Sequence, residues 1–350
     1  MRNLRPLLFL AGLSPCVEFL TGSTSFIQVV TNFPTTGALF LLLTVPGYAF
    51  PAWLFREALV TWKKGLPSLL ALAVSYGAFN EGLLAKTYFT INTLSPSLGP
   101  GGGAGDWIGV NWPWVTGITL FHMVVSMGVP VALCFLIFPE TKTERFLSDR
   151  SIRWLLGYLA AEVGVVLAIE SLFSAAIRGI LPLILIPTAI LLAGVFLARR
   201  LPVPSPNRAV PGRLGRPFPL ALASFGFFVV TFLPILQLFP IPFVPTYAVI
   251  WVFGKIEGPY GLVVTLYPLL MLALAIRFFS RYAPTNLQLL SIVAGVMFLP
   301  LVGAIAVLSF PQGATIAAGI YIVAIWWAGN RSKKAHDEEA PAAITPSPAA

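Results

Sequence analysis

Residues 66 to 89 read LPSLLALAVSYGAFNEGLLAKTYF, an apolar run that is interrupted near its end by Asn80, Glu81 and Lys86. A second run, residues 113 to 138, reads PWVTGITLFHMVVSMGVPVALCFLIF and carries His122 and Ser126. Each is long enough to cross a bilayer as a helix, which takes about 17 to 25 predominantly apolar residues. An ionisable group placed in hydrocarbon costs about 3 kcal/mol on insertion scales, so it is expected to face a bundle interior, a partner or a cavity. The two runs therefore bring a carboxylate, an ammonium, an amide and an imidazole into one interior region. Between them lies a glycine-rich loop, Gly99 to Gly105, followed by Asp106, Trp107, Asn111, Trp112 and Trp114. The loop reads as a flexible external lid and the tryptophans as an interfacial belt. The glycines do not form a nucleotide cradle, because no Gly-Lys-Ser/Thr ending and no soluble helix follow them.

Outward from this stretch the chain keeps the same character. Hydrophobic residues make up 57% of its 350 residues and charged residues 10%, and its mean hydropathy is +0.86. Soluble domains carry about 25% charged residues, so the expected class is all-α, a polytopic transmembrane helix bundle. The net charge of +9 sits in short gaps between apolar runs, as orientation determinants do, and nucleic acid is not an expected partner. Membrane lipid and a small molecule are. No cofactor and no metal are expected, since His122 is the only histidine placed for a site; His336 falls in the tail. Cys16 and Cys134 fall at different depths and read as buried thiols.

Ten runs reach spanning length: about 5 to 21, 36 to 55, 66 to 89, 113 to 138, 154 to 176, 179 to 198, 218 to 239, 260 to 276, 287 to 309 and 312 to 329. Arg2 and Arg5 before the first run mimic a signal peptide, but Pro15 and Glu18 stand where processing would occur, and the run reads as a retained helix. Counting Lys and Arg in the short loops places both termini in the cytoplasm, together with the basic, Pro-rich linker 199 to 217. An eleventh run, Ile241 to Phe253, is short and carries Pro242 and Pro245. The same count favours 241 to 259 as a re-entrant or interfacial segment over a short tilted eleventh helix, because a full crossing would put Arg277, Arg281, Arg331, Lys333 and Lys334 outside. Residues 1 to 330 read as one membrane domain and 331 to 350 as a disordered cytoplasmic tail. No internal repeat is evident.

The polar residues define the candidate site. Glu18 lies about 20 Å along the first helix from Arg5 at 1.5 Å per residue, level with Glu81 and His122. Glu81 and His122 are expected to meet, either as a proton-exchanging pair or as an interhelical hydrogen-bonded lock without chemistry, with Asn80 as a third catalytic candidate and Glu18 or Asn111 completing the cluster. Ser126 shares a helical face with His122, and Tyr76 shares one with Asn80. Trp112, Lys86, Glu162 and Glu170 are the remaining binding candidates. Glu162 and Glu170 lie on one stripe that points at a shared cavity, and Lys86 is expected to snorkel to the outer interface. Arg56 and Glu57 read as interfacial.

Glu18 followed by Gly22-Ser23-Thr24, Arg56-Glu57, Asn80-Glu81-Gly82 with Lys86, Gly109-Val110-Asn111-Trp112, and His122 resemble a family of uncharacterised prokaryotic polytopic membrane proteins over the first two fifths of the chain. The acidic motif is more weakly similar to that of intramembrane glutamate proteases of the prenyl-protein endopeptidase type. In this chain Asn80 replaces the first glutamate of their Glu-Glu pair, and no second histidine stands in a spanning run. Three functions follow as expectations. The first is a small-solute carrier or channel with a polar waist at Glu81 and His122. The second is an intramembrane hydrolase in which Glu81 activates a water. The third is a structural membrane subunit.

Overall fold

Without water in a bilayer core, each backbone N–H and C=O must be satisfied within its own segment, and for chains this apolar the solution is the helix. The computed structural model describes residues 4–21, 24, 26–89, 106–107, 110–173, 180–203, 208–232, 259–306 and 313–339. They form a helical bundle, with one two-residue β pair as the only sheet among the described residues.

The first expected run is two helices, α1 (Arg5–Leu13) and α2 (Cys16–Leu20), broken at Pro15, which lacks the N–H that would continue the first. A short α3 (Phe26–Thr31) follows. Two π-helical stretches, Phe33–Gly37 and Phe40–Thr44, then lead into α4 (Val45–Thr61). The central run is α5 (Leu66–Gly77) continued by a π-helical stretch, Ala78–Leu84. After the pair β1 (Asp106–Trp107) and β2 (Val110–Asn111) come α6 (Trp112–Phe121), a second long π-helical stretch (His122–Gly128) and α7 (Val129–Ile137). The rest is α8 (Asp149–Phe173), α9 (Ile180–Arg200), α10 (Pro217–Phe232), α11 (Pro259–Arg281), α12 (Asn286–Ala306) and α13 (Gly313–Glu339).

Among the described residues each of the ten expected runs is helical over most of its described length, and five segments are long and apolar enough to cross a membrane: Phe33–Thr61, Trp112–Ile137, Asp149–Ile169, Asn286–Ile305 and Gly313–Lys333. Leu66–Leu84 is not among them, because Asn80 and Glu81 dilute its apolar content. Trp154, Leu192, Phe196, Leu222, Phe298, Val323 and Trp326 project outward from their helices, as lipid-facing side chains do.

Polar contacts fix the helix directions. Lys64 Nζ donates to the Leu201 carbonyl at 2.7 Å, and the Arg199 guanidinium lies 4.9 Å from the Trp62 ring centre. Lys142 Nζ donates to Asn286 Oδ1 at 2.9 Å, the Ala283 N–H to the Arg208 carbonyl at 2.9 Å, and Arg5 and Arg331 line a common cavity with Glu140. The end of α4, the starts of α1, α5, α10 and α12, and the ends of α9 and α11 therefore share one basic end with the last turns of α13. Because α10 leaves this end and α11 returns to it, the chain enters and leaves the 233–258 stretch on the same side. That stretch, with the run Ile241 to Phe253, lies outside the described residues, as does the loop Gly99 to Gly105.

Two expectations are corrected. Helix α13 continues past Arg331 to Glu339, where a disordered tail was expected. Ala, Lys and Glu, which recur in this stretch, are strong helix formers. Arg56 and Glu57 are not interfacial: both are almost completely buried. The Arg56 guanidinium donates to Glu57 Oε2 at 2.8 Å, twice to the Thr141 carbonyl at 2.9 and 2.6 Å, and to the Glu144 carbonyl, while its face covers the Phe146 ring at 4.1 Å. Glu57 also accepts from the Phe146 N–H and from Arg145 Nε, each at 3.1 Å. Backbone carbonyls of the turn and loop that follow α7 thereby take the place of water around a cation at the base of α4, and Glu57 neutralises it.

Candidate functional site

The two π-helical stretches Ala78–Leu84 and His122–Gly128 carry Asn80 and Glu81 on one side and His122 and Ser126 on the other. π turns are rare and concentrate at functional sites. Local sequence accounts for the second. Pro130 has no N–H for the Ser126 carbonyl, and a Cβ at Gly128 would stand 2.8 Å from the Met123 carbonyl oxygen five residues earlier, so glycine lets the wider turn close. The two elements can approach because Gly77 carries no side chain; a Cβ there would lie 2.7 Å from Thr119 Cα.

At the crossing, His122 Nε2 meets Glu81 Oε1 at 2.6 Å and His122 Nδ1 meets Ser126 Oγ at 2.7 Å. The Asn80 amide nitrogen lies 3.4 Å from each of Glu81 Oε1, His122 Nε2 and the Tyr48 hydroxyl. Tyr48 in turn donates to Glu18 Oε1, and Thr24 donates to Glu18 Oε2 at 3.2 Å. On the far side, Thr87 donates to Glu81 Oε2 and accepts from Trp114 Nε1 at 3.1 Å. Both Glu81 oxygens and both His122 nitrogens are thus engaged. Glu81, His122, Asn80, Ser126, Tyr48, Thr87 and Trp114 are all buried. The Tyr76 ring packs edge-on against His122 at 5.7 Å.

The expected meeting of Glu81 and His122 is therefore present, and Glu18 completes the cluster through Tyr48. The Asn111 side chain lies outside the described residues; its backbone pairs with Asp106. Trp112 is half-buried and packs beside Tyr88 and Val110. Trp114 is buried at the site and does not belong to an interfacial belt. Lys86 does not snorkel. Its backbone has φ +59°, which turns the chain back over the end of the π stretch, buries Lys86 and returns Thr87 to Glu81. Glu162 is buried on α8 against α4, its carboxylate so close to Gly47 that a Cβ there would lie 3.3 Å from Oε1. The Glu170 side chain lies outside the described residues, so the expected stripe rests on Glu162 alone. Tyr48 and Thr87 carry no signal in the sequence: a tyrosine among apolar neighbours and a threonine past a helix end are ordinary, and only the chain reversal at Lys86 brings Thr87 near.

No family model, no curated protein and no solved structure matches the chain.

Proposed function

We propose that the protein is a small-solute carrier or channel that crosses the membrane about ten times with both termini cytoplasmic, and that its Glu81–His122 pair loads and releases one proton. The observation that carries this reading is the 2.6 Å contact between Glu81 and His122, set in an unbroken line of hydrogen-bonding groups that reaches Glu18. With Glu81 ionised, Nε2–H donates to the carboxylate and Nδ1 accepts from Ser126. When one proton is added, Glu81 donates to Nε2 or His122 becomes an imidazolium, and Nδ1–H donates to Ser126, whose hydroxyl rotates. Every group keeps a partner in both states, which is what a buried proton site needs, because an unsatisfied group there costs about 1 to 3 kcal/mol.

The test is infrared difference spectroscopy between acidic and alkaline buffer on reconstituted protein, paired with pH-gradient dissipation in the same vesicles. Native protein should show a carboxyl protonation band and a proton flux, and Glu81→Gln should lose both while remaining folded. Retention of both signals in Glu81→Gln would assign the pair to a structural lock, in which such a substitution costs about 1 to 2 kcal/mol, and would favour a structural membrane subunit.

A second reading, an intramembrane hydrolase, draws on one feature: His122 Nε2 and Asn80 Nδ2 both flank Glu81 Oε1. A water activated by Glu81 would have these two donors beside it for a developing oxyanion. Conversion of hydrophobic peptides or lipid esters by native protein, absent in Glu81→Gln, would favour it over transport.

A further inference from the structure

A cavity of about 380 Å³ opens between α5, α6–α7, α10, α11 and α12, on the face of the second π stretch turned away from His122. Its wall is hydrocarbon, typified by Leu69, Met123, Phe228, Met271, Phe278 and Val293. Among the described residues only two hydroxyls line it, and both are committed to their own helix: Ser224 donates to the Leu220 carbonyl at 2.8 Å and Thr231 to the Phe227 carbonyl at 2.7 Å. Among the described residues nothing in the wall calls for a polar solute or for water, and an apolar cavity takes an apolar occupant. Along α10 the lining runs from Leu220 to Phe232, about 18 Å at 1.5 Å per residue. One leaflet of the hydrocarbon core is about 15 Å deep, so the cavity has the length of a single acyl chain.

Its basic-end mouth is formed by Leu214, Phe278, Phe279 and Leu289, with Arg213, Arg216 and Arg281 within two residues of a mouth residue. All three arginines are exposed, and among the described residues none forms an ion pair. The chain offers them little: between Glu170 and Asp337 it carries one carboxylate, Glu257. The segment bearing Arg213 is nevertheless held rigidly over the mouth. Gln288 donates to the Val210 and Gly215 carbonyls at 2.9 and 3.0 Å and accepts from the Val210 N–H at 3.1 Å. Three exposed guanidinium groups, close in the chain to the mouth of a leaflet-deep apolar slot and without an ion pair among the described residues, Arg281 facing only the Tyr282 ring at 5.6 Å, match an amphiphile with a phosphate at one end and a hydrocarbon chain at the other.

We infer that this is a binding site for an anionic phospholipid, with the headgroup phosphate on Arg213, Arg216 and Arg281 and one acyl chain in the cavity. The site is separate from the Glu81–His122 pair and does not depend on the function proposed for it.

The test is native mass spectrometry and thermal melting of the full-length, detergent-purified protein with phosphatidylglycerol, with phosphatidylcholine of the same chains, and with inorganic phosphate alone. Phosphatidylglycerol should bind at least tenfold more tightly than phosphatidylcholine and raise the melting temperature, while phosphate alone should do neither. The Arg213→Gln/Arg216→Gln double variant, altered only at exposed positions, should lose the preference between the two lipids. Ala275→Phe, which fills the cavity, should weaken both lipids. Equal binding of the two lipids, stabilisation by phosphate alone, or an undiminished preference in the double variant would each overturn the site. If Ala275→Phe fails to fold, the charge variant still decides.

Discussion

At the scale of single residues, the buried groups divide by how completely they are satisfied. Arg56 has five donors and finds Glu57, two backbone carbonyls and an aromatic face within reach. Breaking a buried ion pair leaves its partner charged and unsolvated, a cost of about 3 to 5 kcal/mol. Arg56→Ala should therefore destabilise the protein by that order in a denaturant or detergent titration, whereas Arg145→Ala, which removes a partner that reaches Glu57 from the exposed loop, should cost far less. Equal losses would mean that Glu57, and not the enclosed guanidinium, is the centre of the network. The same logic applies to Thr87, which supplies the donor to Glu81 Oε2. Thr87→Val keeps the shape and removes the hydroxyl, so it should cost about 1 to 3 kcal/mol and shift the pH at which the Glu81 carboxyl band appears. An unchanged infrared titration would remove Thr87 from the site.

At the scale of elements, the helices were legible because apolar runs and the bilayer's thickness leave one solution, and the meeting of Glu81 with His122 was legible because two consecutive spans are neighbours carrying polar groups at one depth. The π stretches were not, since hydropathy does not distinguish a widened turn from an α turn. The sequence places Arg56–Glu57 at the interface because charge at a helix end normally reaches water, and nothing local announces that the chain after α7 folds its carbonyls over them. The close approach of the two π stretches rests on glycine. Gly77→Ala would drive a methyl against the Thr119 backbone, which cannot yield as a flexible side chain can. A loss of about 1 to 3 kcal/mol is expected from such overpacking, together with loss of the infrared signal of the Glu81–His122 pair. Gly128→Ala meets a carbonyl of its own turn and should force that turn toward α geometry, moving Ser126 away from Nδ1. An unaltered pH response in Gly128→Ala would show that the π turn does not position the site.

For the whole molecule, the strongest constraint is the sharing of one end by the basic segments. The contacts Lys64–Leu201, Lys142–Asn286 and Ala283–Arg208 tie together pieces from both halves of the chain, and each piece carries Lys or Arg. The opposite end, near Thr35 and the last turn of α2, carries no Lys or Arg between Arg5 and Arg56. The orientation proposed above, with the basic end in the cytoplasm, rests on the bias of Lys and Arg toward that face. It is tested by single cysteines in a background where Cys16 and Cys134, both buried, are replaced by Ala. Pro211→Cys and Lys333→Cys, at exposed positions of the basic end, should react with a membrane-impermeant maleimide only in inside-out vesicles, and Thr35→Cys only in intact cells. Labelling of Pro211→Cys and Lys333→Cys on opposite faces would be decisive against the arrangement, because it would require 233–258 to make a net crossing. Labelling of both from outside would instead preserve the shared end and reverse the orientation, placing the arginine row and its lipid site in the outer leaflet.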